Sequence, residues 1–88
     1  EDELPERFRH TWEAKGMSRD PWTLSLAGQM RGKRVLDVGS GYGRQSLVFA
    51  LRGAYVTHVD IVKRPLLRLE ILAKNYGVEH RVKTVYLE

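Results

Sequence analysis

In the stretch Val35-Leu36-Asp37-Val38-Gly39-Ser40-Gly41-Tyr42-Gly43, an apolar, strand-forming run passes directly into three alternating glycines and then into a helical pattern. No other feature of the 88-residue chain constrains its fold as strongly. Glycine has no Cβ, so it takes positive φ and lets backbone N–H groups approach a bound molecule. The helix that follows turns the positive end of its dipole toward the same place. The next aspartate after an apolar run is Asp60, which closes Tyr55-Val56-Thr57-His58-Val59. Its separation from Gly39 is about that at which a βαβ nucleotide site places the acid for its ribose hydroxyls.

The rest of the chain repeats the alternation of strand and helix. Leu4-Pro5-Glu6 opens a helix through about Lys15, with Phe8 and Trp12 on one face and Gly16 as its stop. Asp20-Pro21 is an N-cap followed by a proline at the first helical position. It starts a second helix that runs to Gln29 or Arg31, stacks Trp22, Leu26 and Met30, and ends at Gly32. Arg34 to Val38 reads as a strand covered on both faces. A helix from Gly43 or Arg44 to about Arg52 turns Leu47, Ala50 and Leu51 inward and closes at Gly53. Ala54 to Val59 is the second strand. Pro65 sits in the first turn of a helix whose stripe is Leu66, Leu69, Ala73 and Tyr76, with Gly77 as its end, and Arg81 to Leu87 is the third strand. Right-handed crossovers then require an α/β fold: a three-layer, Rossmann-like half-sheet of three parallel strands in the order 3-2-1, with helices on both faces, preceded by two N-terminal helices. Residues 1–32 form a helical cover and residues 33–88 the binding unit of one compact domain.

Composition narrows the classes of function. The chain has no cysteine, and its three histidines lack ligand spacing, so neither disulfides nor a zinc site is expected. It has no apolar run long enough to cross a bilayer and no signal-peptide pattern at Glu1-Asp2-Glu3, so a cytoplasmic protein is the expectation. The net charge of +4 would favour an anionic partner such as RNA or DNA. The basic residues form no block and are not interleaved with aromatics, which favours a solvated surface over a nucleic-acid interface.

Spacing also discriminates between nucleotide-binding patterns. A dinucleotide fingerprint requires its third glycine at position 44, where this chain has Arg44, and Gly43 comes one step early. The run Leu36-Asp37-Val38-Gly39-Ser40-Gly41-Tyr42-Gly43, followed by Val59-Asp60-Ile61, resembles the first two motifs of the class I S-adenosylmethionine-dependent methyltransferases. The resemblance covers roughly Lys33 to Glu88. It implies S-adenosylmethionine as cofactor and S-adenosylhomocysteine as product. Gly39, Gly41 and Gly43 would wrap the methionine moiety, and the amides of Ser40 and Tyr42 would lie near its carboxylate. Asp37 would face its amino group, Asp60 would accept from both ribose hydroxyls, and Ile61 would lie against the adenine. Glu88 stands near where the family places an acid for the adenine amine. The alternatives are a plain tight turn for the glycines and a helix cap ahead of Pro65 for Asp60.

The family's sheet continues through further strands, whereas this sequence stops at Glu88. Either these residues are a fragment, or two copies meet as a homodimer through their first-strand edges. No Asn-Pro-Pro-Tyr or Asp-Pro-Pro-Tyr occurs, so the methyl acceptor stays open, as does a non-catalytic assembly or nucleic-acid-binding module. His58 is expected to be structural and to share no site with Asp60, because neighbouring strand residues point to opposite faces. Trp12 and Trp22 read as core rather than as a cap on the cofactor.

Overall fold

Three short runs rich in β-branched residues pair side by side. In a computed structural model, which describes residues 6–9, 21–39 and 43–88, β1 (Arg34–Val38), β2 (Tyr55–Asp60) and β3 (Val82–Tyr86) form one parallel sheet. The order is β1-β2-β3, which is third, second, first when counted from the far edge. The helices are α1 (Glu6–Arg9), α2 (Pro21–Gln29), α3 (Arg44–Leu51) and α4 (Lys63–Asn75), and a 3₁₀ turn at Glu79–Arg81 leads into β3. The first helix was expected to reach Lys15. Its continuation, and the side chains of Phe8, Trp12 and Trp22, lie outside what is described.

The alternation along β2 shows where the core sits. Val56, His58 and Asp60 are buried, whereas Tyr55, Thr57 and Val59 on the other face are exposed or half-buried. Val56 joins a cluster with Leu47, Val48, Ala50 and Leu51 of α3, Leu69 and Ala73 of α4, Ala27 of α2 and Val78. Leu26, Met30 and Tyr76 pack against its margin, so most of the stripes expected for the second helix, α3 and α4 is realised. Helix α3 ends where Gly53 was expected to stop it, with the Ala54 N–H donating to the Phe49 carbonyl. Helix α4 ends the same way, with the Val78 N–H donating to Ala73. Pro65 is accommodated because the first-turn N–H groups of a helix have no partner within it.

One expectation for β1 is not met. Leu36 and Val38 are 67% and 65% exposed, so among the described residues this strand is covered on one face rather than two. The physical reason is handedness. Two right-handed crossovers that step in the same direction across a sheet leave their helices on the same side. Both α3 and α4 contribute to the core beneath Val56. Strand bounds also shift by a residue. β2 extends to Asp60, and Arg81 belongs to the turn, its N–H donating to the Val78 carbonyl.

The two faces should respond differently to truncation. Leu69→Ala, at a fully buried position, is expected to cost about 2–5 kcal/mol of unfolding free energy in urea titrations followed by circular dichroism. Leu36→Ala on the open face should stay within about 0.5 kcal/mol.

Candidate functional site

Pairing of β1 with β2 brings two acids to the carboxyl end of the sheet. The register sets Asp37 beside His58, and the Gly39 N–H donates to the Val59 carbonyl at 2.8 Å, which extends the ladder past Val38. Asp37, His58 and Asp60 share the face that α3 covers, and Ser46 in the first turn of α3 reaches down to them. The Ser46 hydroxyl donates to Asp37 Oδ2 at 2.6 Å, and Ser46 Oγ lies 2.8 Å from His58 Nδ1.

This network fixes the tautomer of His58. A serine hydroxyl has one proton, and an ionised carboxylate only accepts, so the Ser46 proton goes to Asp37. His58 Nδ1 therefore carries a hydrogen and donates it to Ser46 Oγ, with Asp37 Oδ2 also 3.4 Å away. With a single ring proton, held on Nδ1, Nε2 is an acceptor. It is fully buried, has no hydrogen-bond partner among the described residues, and lies 3.9 Å from Asp60 Oδ2.

His58 and Asp60 thus belong to one site, contrary to expectation. They are two residues apart on β2, and a strand repeats its facing every second residue, so both side chains point to the helix-covered side. The opposite-face rule applies to His58 and Val59. The i, i+2 spacing was the available signal for His58. Ser46 had none, because only the docking of α3 on the sheet brings it there.

The other anticipated residues divide as follows. Asp60 is buried; its Oδ1 accepts the Val62 N–H at 3.0 Å, so a local turn-closing role ahead of α4 is realised in it. Ile61 is 72% exposed beside it. Gly39 has φ of 65°, and among the described residues no atom stands within 4 Å of where a Cβ would be. Gly43, at φ 77°, begins α3, and a Cβ there would lie 3.2 Å from Leu69. Ser40, Gly41 and Tyr42 lie outside the described residues. Glu88 follows β3 and is exposed. Among the described residues no cluster of three or more His, Cys, Asp or Glu side chains could hold a metal, and no helix is long and apolar enough to cross a membrane.

Two substitutions test this local geometry in urea titrations. Ser46→Ala removes the hydroxyl that bridges Asp37 and His58 and should cost about 1–3 kcal/mol, against the slight gain alanine gives in an exposed helix. Gly43→Ala combines a left-handed backbone with a contact too close to Leu69 and should cost more than about 1 kcal/mol.

No family model matches the chain. It is 42% identical over 65 residues to the Ubiquinone biosynthesis O-methyltransferase of Bordetella avium (strain 197N), a match that takes in 74% of this chain and 25% of that protein. The chain therefore spans about a quarter of the length of the curated relatives it matches. Its fold is similar to the C-terminal domain of precorrin-6Y C5,15-methyltransferase from Rhodobacter capsulatus. The TM-score is 0.72 at 21% identity, over 96% of this chain and 46% of that one. It is also similar to the Trypanosoma brucei PRMT1 enzyme-prozyme heterotetrameric complex with AdoHcy. There the TM-score is 0.66 at 24% identity, over 74% of this chain and 20% of that one.

Proposed function

The chain matches a segment of the class I, Rossmann-like S-adenosylmethionine-dependent methyltransferases, and from that premise we propose that it forms the cofactor-binding part of such an enzyme. It would hold S-adenosylmethionine before transfer and S-adenosylhomocysteine after it. The observation that carries the proposal is the placement of Asp37 and Asp60 on one face of adjacent strands, at the end of the sheet where, among the described residues, no atom stands within 4 Å of a Cβ placed on Gly39. The naming of AdoHcy in a structural neighbour and of O-methyltransferases among the relatives supports it.

Each residue then has a defined task. The Asp60 carboxylate offers two acceptor oxygens to a vicinal diol, and the Val62 N–H on Oδ1 holds the group in place. Asp37, kept in position by Ser46, faces the amino group of the methionine moiety. By the family resemblance, the glycines at 39, 41 and 43 would wrap that moiety, with the amides of Ser40 and Tyr42 toward its carboxylate. Ile61, exposed beside Asp60, would lie against the adenine. When bound, the cofactor supplies a methyl group already activated by its sulfonium, so these residues serve to bind and align it rather than to activate it. The acceptor of the whole protein is proposed to be an oxygen nucleophile, as the name of the curated relatives suggests.

Calorimetric titration with S-adenosylhomocysteine tests the proposal. Binding should weaken about tenfold or more in Asp60→Asn, which removes charge from the ribose acid. It should be unaffected when Lys63, Arg64 and Arg68 are neutralised together. Indifference to Asp60→Asn, coupled to salt-sensitive RNA binding that disappears with the three cations, would contradict it.

A further inference from the structure

His58 is fully buried, its Nδ1 is committed to Ser46, and its Nε2 has no hydrogen-bond partner among the described residues. A buried, unpaired ring nitrogen costs free energy unless something answers it. Asp60 Oδ2 stands 3.9 Å from it, and toward an unprotonated Nε2 it is an acceptor facing an acceptor. A proton on Nε2 removes the conflict, because both ring nitrogens then donate: Nδ1 to the Ser46 and Asp37 side, and Nε2 to Asp60.

Resting on the cofactor reading above, we infer that His58 is the positioning residue of the ribose acid: it carries the Asp37–Ser46 hydrogen bonds across to Asp60 and takes up a proton on Nε2 when ligand covers the site. The proton comes from solvent, no covalent bond forms or breaks, and the 3.9 Å gap closes to hydrogen-bond distance. Ligand binding provides the drive. It removes water from the Asp60 carboxylate, whose charge is then balanced by the imidazolium beside it.

The surroundings favour this form. β1 presents Asp37 to the ring and β2 presents Asp60, while α3 presents the neutral Ser46. β3 sets Thr84 beside His58 in the register, and the Thr84 hydroxyl donates to Glu70 of α4. Two carboxylates therefore flank the imidazole and a third stands one residue beyond. Arg44 and Arg68 are the half-buried cations of α3 and α4.

Two readouts distinguish positioning from plain packing. The first is S-adenosylhomocysteine binding by calorimetry in buffers of different ionisation enthalpy, with the ¹⁵N resonances of His58 followed in parallel. Wild-type binding should take up close to one proton per site and move Nε2 to its protonated position. The second is a pair of variants. The side-chain amide of His58→Gln reaches the Nε2 position and should keep affinity within about threefold while abolishing proton uptake; that of His58→Asn reaches only the Nδ1 position and should lose about tenfold. Wild-type binding without proton uptake and with His58 unmoved would overturn the inference while leaving the cofactor site intact. So would a His58→Asn chain that binds as tightly as His58→Gln. Absence of binding heat in the folded wild-type chain would overturn the cofactor reading itself, and this inference with it.

Discussion

The register between β1 and β2 is the constraint on which the site depends. Side chains alternate along a strand, so a slip of one residue would turn Asp37 or Asp60 away from the helix-covered face and break the alignment with Ser46. The register is held by burial. Val56 lies in the core beneath α3 and α4, whereas Leu36 and Val38 face outward without such cover, and the two sets cannot exchange without exposing one and leaving a gap in the other. The apolar packing of α3 on the sheet thus also delivers Ser46 to the two acids and His58.

At the site, apolar packing holds polar groups that are satisfied only in part. The Ser46 hydroxyl satisfies Asp37, and the Val62 N–H satisfies one oxygen of Asp60. Among the described residues, His58 Nε2 is left over. Buried polar atoms without partners are uncommon in folded proteins and concentrate where a ligand or a proton completes the set. The rest of the core cluster is built mainly from aliphatic side chains and alanines, with Phe49 among them.

Local signals carried most of the fold. The strand ahead of Gly39, the glycines closing α3 and α4, and Pro65 in the first turn of α4 are each dictated by neighbouring residues, and the structure agrees with them to within one or two positions. The proximity of Asp37 and Asp60 was legible from strand ends and spacing. Two features were not. The open face of β1 depends on where successive crossovers place their helices, which no single segment encodes. The Asp37–Ser46–His58–Asp60 cluster draws on β1, α3 and β2 at once, and within β2 the i, i+2 facing of His58 and Asp60 was the one part readable in advance.

The central claim is that the end of β1 and the acid closing β2 bind one adenosyl ligand together. Backbone amide shifts recorded while S-adenosylhomocysteine is added test this most directly. The account predicts saturable changes concentrated from Gly39 to Gly43 and from Asp60 to Val62, with the far ends of the strands, Arg34 and Tyr55, unmoved. Shifts confined to one of those two segments, or spread along the basic exterior of α4, would contradict it.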